Sequence, residues 1–211
     1  MIKNIFFDFN GTLLNDTDLC FDIEEDMLIK EGLNKVTKEF YLDNFSFPVR
    51  NYYKLVGFDV SDENYAKLSN FFISNYNARG KEETSLNPGV VEILKKLKSD
   101  GYKLYILSAS EENLLIKQLK DLKIFDYFDG LAASKNIAAH GKIEYGKQFI
   151  KDNCINPNES IMIGDTIHDY EVAVELGLIP ILYSKGHNSK KVLKKVNAPI
   201  VDSFEEFYKI L

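Results

Sequence analysis

Large apolar residues form several short runs along the chain, and three of these runs end abruptly in a polar residue. The runs are residues 5–7 before Asp8, 102–107 before Ser108 and 160–164 before Asp165. Nearly continuous apolar runs are typical of buried parallel strands, and ligands of open α/β sheets bind just past the carboxyl ends of such strands. The pattern therefore predicts an α/β fold whose polar site begins at Asp8.

The stretch from residue 15 to residue 84 shows helical spacing and no convincing strand alternation. A first helix is predicted from Asp16 or Thr17, as its N-cap, to about Glu31. Three further helices are predicted over residues 37–45, 48–56 and 61–78. Aromatic residues are dense in this stretch, and we expect them to form a small core, because a short helical unit needs large side chains to bury enough area.

Strand and helix alternate again from Asn87-Pro88-Gly89 onward. We predict helices over residues 88–99, from Glu112 and from about Glu144, and a further short strand over residues 128–133. A loop over residues 138–143 leads into the helix from Glu144. A helix over the apolar residues after Asp169 completes the pattern.

Composition narrows the classes of function. The chain has 211 residues and 45% apolar content, which suits one core domain with a modest insertion. Its formal charge of -6 provides no basic field, so we expect no nucleic-acid partner. The Lys-rich tract over residues 185–195 is interpreted as the solvated face of a helix.

Cys20 and Cys154 lie far apart without metal-ligand spacing, so they are expected to be reduced thiols. The first residues lack the features of a secretory signal, and no apolar run approaches the roughly 20 residues that span a bilayer. These features predict a cytoplasmic protein with no membrane partner, and a monomer is the default expectation.

Three carboxylates follow predicted strands or open a predicted helix: Asp8, Asp165 and Asp169. Turn formation or helix capping explains each of them singly. Carboxylates that cluster repel one another and are driven toward protonation unless a cation joins them. Oxygen ligands without His or Cys favour Mg²⁺, which is commonly bound by one or two carboxylates together with substrate phosphate. The set therefore predicts magnesium and a phosphoryl group.

Three other residues are candidate contacts of an anion. Ser108 ends a strand before backbone N–H groups that open the next helix, although Ser110 can also act there as a plain helix cap. Lys142 stands at a helix start, where a cation opposes the macrodipole, so it makes sense opposite a carboxylate or phosphate. Arg50 is a candidate substrate anion contact, with an ordinary surface arginine as the alternative.

Four of these segments together resemble the four motifs of the haloacid dehalogenase superfamily. They are DFNGTL from Asp8, the strand ending at Ser108, the lone Lys142 and G-D-x-x-x-D from Gly164. The helical insertion resembles the cap of its phosphoglycolate phosphatase and β-phosphoglucomutase branch. The resemblance implies a three-layer core with a parallel sheet, formed by residues 1–14 and 85–211. A mobile helical cap over residues 15–84 would cover the strand ends.

The resemblance also implies roles for single residues. Asp8 would be the nucleophile that forms an aspartyl-phosphate, and Ser108 with the backbone at Ala109 would hold the phosphoryl oxygens. Gly11 is counted with this substrate-binding loop, and Lys142 would neutralise charge on nucleophile and phosphate. The implied ligands of Mg²⁺ are Asp8, the backbone carbonyl of Asn10, Asp165 and, directly or through water, Asp169. The implied reaction is hydrolysis of a small phosphorylated metabolite.

Asn10 departs from the family pattern, because phosphatases of this family usually carry a second Asp two residues after the nucleophile. An amide can donate a hydrogen bond but cannot shuttle a proton at neutral pH. General acid-base catalysis typically contributes roughly 10²- to 10⁴-fold, so a loss on that scale is expected unless another group substitutes. Metal binding should survive, because this position ligates through its backbone.

Four explanations of Asn10 stay open at this point. The enzyme can be specialised for good leaving groups such as acyl or aryl phosphates, or another residue can carry the proton, with His168 the nearest candidate in sequence. Asn10 can also be an engineered trap. The fourth explanation is deamidation of Asn10-Gly11 in some molecules, and a peptide map that shows only Asn at position 10 would exclude it.

Other functions use the same residues. A catalytically weak or inactive protein that binds phosphate or a partner is the main alternative to a phosphatase. A phosphoglucomutase-like enzyme would need proton shuttling even more than a phosphatase, and phosphonate-cleaving relatives use a small residue at position 10 and a cap lysine. Dehalogenation is disfavoured because that branch does not need the metal cluster.

Overall fold

A parallel sheet of six strands forms the centre of the molecule in the computed structural model, which describes residues 1–134 and 141–211. The spatial order is β5-β4-β1-β6-β7-β8. The six strands are β1 (Asn4–Phe7), β4 (Lys103–Glu111), β5 (Gly130–Ser134), β6 (Ser160–Gly164), β7 (Ile179–Tyr183) and β8 (Ile200–Val201). The predicted α/β fold class is confirmed.

Ten α-helices accompany these strands in the described ranges. The first four are α1 (Thr17–Lys30), α2 (Lys38–Asn44), α3 (Val49–Leu55) and α4 (Asp62–Glu83). The other six are α5 (Val90–Ser99), α6 (Glu112–Asp121), α7 (Lys142–Asp152), α8 (Ile167–Glu175), α9 (Lys190–Leu193) and α10 (Phe204–Lys209). Of the helices the structure describes, none is long and apolar enough to cross a membrane.

Helices cover both faces of the sheet, which gives the core three layers. Ile5 and Phe7 of β1 point to one face and pack in a cluster with residues of α5, α6 and α10. Phe6 points to the opposite face and packs with Tyr105, Met162 and residues of α8. This alternation along a fully buried strand is the reason that β1 consists almost entirely of large apolar residues.

Strand β1 lies between β4 and β6, so its carboxyl end is flanked by both. Phe7 pairs in register with Ile106 of β4 and with Ile163 of β6. The residues that follow these positions therefore meet at one edge of the sheet. This register brings the polar ends of three separate sequence segments into one place.

Helices α1 to α4 form the helical insertion, residues 17–83, in which the structure describes every residue and no strand occurs. All four helices were predicted, although α4 continues five residues beyond its expected end at residue 78. Buried aromatic residues form the centre of the insertion, as expected, with Tyr41 and Tyr52 almost completely buried.

A short antiparallel ribbon closes the two ends of the helical insertion. Strand β2 (Leu14–Asn15) pairs with β3 (Ser85–Leu86). Immediately after β3, the side chain of Asn87 donates a hydrogen bond of 2.7 Å to the carbonyl oxygen of Thr12. The ribbon therefore joins the exit of the insertion directly to the loop after β1. The cap limits at residues 15 and 84 stay a prediction.

The helical insertion also contacts the core through the loop between β7 and α9. The backbone N–H of Ser189 donates to the carbonyl of Leu42 over 2.9 Å, and Asn188 Nδ2 donates to the carbonyl of Phe45 over 2.8 Å. These contacts hold α2 against the carboxyl edge of the sheet.

Glu24 is a charged residue in the core of the helical insertion, where it is only 2% exposed. Its Oε1 accepts a hydrogen bond of 2.6 Å from the Tyr52 hydroxyl. Burial raises the pKa of Glu24 from 4.5 to about 7, with the Tyr52 hydrogen bond opposing that rise and the nearby Glu25 adding to it. The folded protein thus holds this proton more tightly than the unfolded chain.

Glu24→Gln should therefore stabilise the protein at pH 8 but not at pH 4. The stability that protonated Glu24 contributes is complete below the unfolded pKa of 4.5 and is lost as pH rises toward about 7. The shift corresponds to about 3 kcal/mol, or a melting temperature higher by roughly 6 °C for the variant at pH 8. Thermal unfolding of wild type, Glu24→Gln and the exposed control Glu82→Gln at both pH values measures this. An equal shift at pH 4 and pH 8 would contradict it.

Candidate active site

Asp8 stands directly after β1, at the centre of the carboxyl edge of the sheet. Its backbone N–H donates to the carbonyl of Ile163 over 2.9 Å, so β1 and β6 still pair at this point. The residue as a whole is 8% exposed. Asp8 is therefore held on a rigid element and points into a largely closed site.

Lys142 is the first residue of α7, and its ammonium group joins two carboxylates. Nζ lies 2.5 Å from Asp8 Oδ1 and 2.6 Å from Asp169 Oδ1, and Lys142 is 5% exposed. This position accounts for a lysine at a helix start, which local helix stability does not favour. Helix α7 begins two residues before the predicted start at Glu144, and residues 138–140 of the predicted loop lie outside the described residues.

Asp165 follows β6 and is fixed by both of its oxygens. Oδ1 accepts from the Thr12 hydroxyl over 2.9 Å, and Oδ2 accepts from the backbone N–H of His187 over 2.6 Å. A Cβ on Gly11 or Gly186 would lie 2.3 Å or 2.2 Å from this carboxylate. Only glycine fits at these two positions, and Gly11 also has a positive φ of 74°.

Asp169 lies in the first turn of α8 and forms a capping box with Thr166. Its Oδ2 accepts from the backbone N–H groups of Asp165 and Thr166 and from the Thr166 hydroxyl. Its other oxygen binds Lys142. Asp169 therefore orients both the strand-to-helix turn that carries Asp165 and the lysine beside Asp8.

The electrostatics of this cluster call for an additional cation. Burial raises the pKa of Asp8 to about 8, with Lys142 opposing and repulsion from Asp169 and Asp165 adding to the rise. Burial likewise raises the pKa of Asp165 to about 6. For Asp169, burial acts in the same direction, but Lys142 and Thr166 outweigh it and lower the pKa. Lys142 beside Asp8 and Asp169, together with His187 beside Asp165, thus compensates only part of the buried negative charge.

The three carboxylates fit a hard divalent cation. Asp8, Asp165 and Asp169 each offer an oxygen, and these atoms lie within 4.8 Å of one another. All three residues are buried, and their donor set contains oxygen alone. Mg²⁺ prefers such ligands, and its charge would relieve the repulsion that raises the pKa values.

Ser108 is part of β4, which extends beyond its predicted end at Leu107 to Glu111. The Ser108 hydroxyl oxygen accepts from the backbone N–H of Ser110 over 3.1 Å. Capping of α6 by Ser110 was wrong: the N-cap is Glu111, whose carboxylate accepts from two backbone N–H groups of the first turn. Ser110 instead donates to Asn10 Oδ1 over 3.1 Å.

Asn10 is surrounded by groups that hold its amide on both sides. Its Nδ2 lies 2.7 Å from Asp16 Oδ2 and 2.8 Å from the hydroxyl of Tyr76. Tyr76 belongs to α4 and also donates to Asp16 over 2.6 Å. A residue of the helical insertion thus contacts the loop after β1 directly.

Asp16 pairs with His187 beneath this loop. His187 Nε2 lies 3.3 Å from Asp16 Oδ1, and its Nδ1 lies 2.8 Å from the Tyr41 hydroxyl. Burial opposes the charge on each partner, yet their attraction lowers the pKa of Asp16 and raises that of His187 to about 9. The solvated helix predicted over residues 185–195 was therefore wrong in part: His187 and Asn188 are buried, and only the short α9 is helical.

Two predicted candidates are not brought to the carboxylate cluster by the contacts of the described residues. Arg50 donates to the carbonyl of Val60 and to Asp62 Oδ1 over 2.7 Å, and its guanidinium lies over the ring of Tyr65. The ring of His168 packs on Phe47 with centroids 4.9 Å apart, and its Nδ1 lies 3.6 Å from Glu171. Both side chains are used in contacts of their own.

Comparison with known proteins identifies the family. The profile described as "Haloacid dehalogenase-like hydrolase" matches residues 5–182, which include Asp8, Ser108, Lys142, Asp165 and Asp169. The chain is a haloacid dehalogenase-like hydrolase. The resemblance inferred from four short motifs is thereby confirmed.

Several relatives of this haloacid dehalogenase-like hydrolase carry phosphatase names. A phosphoglycolate phosphatase from Nitrosococcus oceani is 25% identical, over 87% of this chain and 84% of its own. A pyrophosphatase from Anoxybacillus flavithermus is also 25% identical, over 80% and 77%. A haloacid dehalogenase-like hydrolase structure from Streptococcus pneumoniae, 24% identical, covers 99% of this chain and 98% of its own with a TM-score of 0.82, which shows the shared fold.

Three residues of this hydrolase site were not predicted to belong to it: Asp16, Tyr76 and His187. Asp16 was considered only as a helix cap, and it does precede α1, although its side chain does not cap that helix. His187 lies beyond the part of the chain that the family profile matches. The available sequence signal for His187 was a histidine directly after Gly186 in an otherwise Lys-rich tract.

Proposed function

We propose that this chain is a Mg²⁺-dependent phosphatase that hydrolyses a small phosphorylated metabolite through an aspartyl-phosphate on Asp8. The observation that carries the proposal is the contact of Lys142 with both Asp8 and Asp169, inside a buried cluster that also contains Asp165. A divalent cation would relieve the repulsion among these carboxylates, and a site of this kind suits a phosphoryl substrate. Relatives named phosphatase support the reaction class.

The first step is attack of an Asp8 carboxylate oxygen on phosphorus. A bond forms between Asp8 and phosphorus as the bond from phosphorus to the leaving-group oxygen breaks, and that oxygen takes the electron pair. Water then attacks phosphorus as the bond between phosphorus and the Asp8 oxygen breaks, which restores the Asp8 carboxylate. One proton of the water stays on the released phosphate and the other passes to solvent. Two displacements thereby replace one direct attack by water.

Other residues stabilise the charge that develops on the phosphoryl oxygens. Lys142 is already beside the nucleophile and would balance the negative charge of the phosphoryl group. We assign Ser108 and the backbone of Ala109 to the binding of that group. Gly11 is not included, because its backbone N–H donates to Asp16 Oδ1 over 2.8 Å. Arg50 is not included in this assignment, because its guanidinium is bound to Val60 and Asp62.

Asp8, Asp165 and the backbone carbonyl of Asn10 would hold Mg²⁺, with Asp169 supporting the site directly or through water. When bound, the ion would offset the negative charge of nucleophile and phosphate and orient them toward each other. Asp165 is prepared for this role because Thr12 and the His187 backbone already fix its side chain. Its narrow position between Gly11 and Gly186 leaves it little freedom to move.

The test combines metal removal with detection of the covalent intermediate. Hydrolysis of acetyl phosphate and p-nitrophenyl phosphate should fall to background after EDTA treatment and return with added Mg²⁺. A rapid acid quench during turnover of acetyl phosphate, followed by borohydride reduction and peptide mass spectrometry, should mark Asp8. Turnover that persists in EDTA, or a mark on another residue, would contradict the mechanism. Binding of phosphate without turnover on either substrate would identify a binding protein.

The remaining expectations stay predictions. They are a cytoplasmic location, a monomeric state, a cap bounded by residues 15 and 84, and the absence of nucleic-acid and membrane partners. The charge of -6 is compatible with the absence of a nucleic-acid partner. The contacts between α2 and the core are compatible with a cap that covers the strand ends.

A further inference from the structure

The side chain of Asn10 has a defined orientation, because its neighbour Asp16 accepts hydrogen bonds from known donors. The backbone N–H of Gly11 donates to Asp16 Oδ1 over 2.8 Å. A backbone N–H can only donate a hydrogen bond, so Asp16 is the acceptor. Asp16 Oδ2 receives the Tyr76 hydroxyl over 2.6 Å. The atom of Asn10 that lies 2.7 Å from Oδ2 must therefore be the amide nitrogen.

The opposite end of the amide is consistent with this orientation. Asn10 Oδ1 lies 3.1 Å from the hydroxyl of Ser110, which can donate to it. The nitrogen is thus engaged by Asp16 and Tyr76, while the oxygen accepts from the loop that also carries Ser108. A charge-assisted bond to a carboxylate is stronger than a bond to a neutral oxygen. The amide nitrogen will not readily leave Asp16 to assist a leaving group.

A carboxylate at position 10 would not fit this environment. Asp16 is 1% exposed, and an oxygen in place of the amide nitrogen would lie about as close to Asp16 Oδ2 as the nitrogen does now. Two carboxylates at that distance cannot both ionise without a large cost. The amide of Asn10 therefore complements the carboxylate of Asp16, which supports asparagine as the residue that this site requires at position 10.

We propose that Asp16 is a positioning residue which, together with Tyr76, fixes the Asn10 amide, and that this arrangement restricts the enzyme to phosphates whose leaving groups depart without protonation. The substrate class is that of acyl phosphates and phosphates of acidic hydroxyl groups. This inference rests on the proposed phosphatase function and adds its leaving-group preference. Asn10 then contributes an oxygen that accepts a hydrogen bond, and it provides no proton to the leaving group.

The first test is the dependence of kcat/KM on the leaving group. We expect wild type to hydrolyse acetyl phosphate and p-nitrophenyl phosphate at least about 10²-fold faster than phenyl phosphate, because no general acid assists the more basic phenolate. The variant Asn10→Asp/Asp16→Asn exchanges the amide and the carboxylate between the two positions. Its carboxyl group at position 10 can deliver a proton, so the difference between substrates should shrink to about tenfold or less.

The second test measures whether the two positions are coupled in the folded protein. Asn10→Asp alone should lower the melting temperature by roughly 5 °C or more, since it brings two buried carboxylates together. Asp16→Asn also removes the carboxylate that pairs with His187, so the expected result is a coupling. The double variant should melt higher than the sum of the two single losses predicts, by at least half of the Asn10→Asp loss, because an amide again faces a carboxylate. Asp16→Asn alone completes the double-mutant cycle.

The two tests separate the possible failures. Wild type that hydrolyses phenyl phosphate as fast as acetyl phosphate would overturn the leaving-group preference, even with Asp8 confirmed as nucleophile. Asn10→Asp with an unchanged melting temperature would overturn the positioning role of Asp16. Absence of turnover on every phosphate would remove both the proposed function and the preference, whereas the melting cycle would still decide whether Asp16 fixes Asn10.

Discussion

Asp8→Asn should abolish Mg²⁺-dependent phosphate hydrolysis while leaving the fold intact. The amide keeps the shape of the side chain but cannot attack phosphorus, so we expect kcat for acetyl phosphate to fall by about 10⁴-fold or more. Asp8 is one of three buried carboxylates that repel one another, and its removal leaves Lys142 paired with Asp169. The melting temperature without metal should therefore stay the same or rise.

A loss of activity with an unchanged or higher melting temperature distinguishes a nucleophile from a residue that only supports the structure. Asp121→Asn, an exposed change at the end of α6, is the matched control and should alter neither quantity. Steady-state assays with thermal unfolding in EDTA measure both. An Asp8→Asn protein that keeps a tenth of wild-type activity would show that Asp8 is not the nucleophile.

Lys142→Met should have the largest effect on stability. The substitution keeps much of the apolar stem but leaves the carboxylates of Asp8 and Asp169 buried without their shared cation. Breaking a buried ion pair by removal of one partner costs about 3–5 kcal/mol, which corresponds to roughly 6–20 °C in melting temperature for a chain of this size. Activity should also fall by about 10²-fold or more, because charge on the phosphoryl group loses a preorganised partner.

A metal-dependent rescue would link this loss to the carboxylate cluster. Saturating Mg²⁺ should restore part of the melting temperature of Lys142→Met, because the ion supplies positive charge to the same carboxylates. Lys147→Met is the control on the same helix, since Lys147 forms an exposed ion pair with Glu175, and such pairs contribute about 1 kcal/mol or less. If the two variants melt at the same temperature, Lys142 does not compensate the cluster.

The parts of the fold that the sequence predicted are those governed by local patterns. The buried strands β1 and β6 are apolar runs that end in a carboxylate, and the helices of the insertion follow the spacing of their apolar residues. Asp8, Asp165 and Asp169 could be placed together because parallel strands present their carboxyl ends at one edge. Lys142 was identified by its conflict with the helix dipole.

The parts that were missed depend on contacts between distant segments. Asp16 and His187 are 171 positions apart in the chain, and their pairing arises only when the loop after β7 folds over the loop after β1. A lysine-rich composition suggested a solvated helix there and hid the buried histidine. The sequence also does not show that the guanidinium of Arg50 donates to Val60 and Asp62. The role of Arg50 as an anion contact stays a prediction.

The ribbon of β2 and β3 has a consequence for how this molecule can vary. Because the two strands pair side by side, the chain leaves the core and returns to it within one strand spacing of about 4.8 Å. The ends of an inserted segment of another length or fold need to match this small gap. Asn87 then anchors the returning chain to Thr12 whatever lies between. The backbone of the nucleophile loop can thus persist while the segment that covers it is exchanged, whereas the contacts of Tyr76 with Asn10 and Asp16 belong to this insertion.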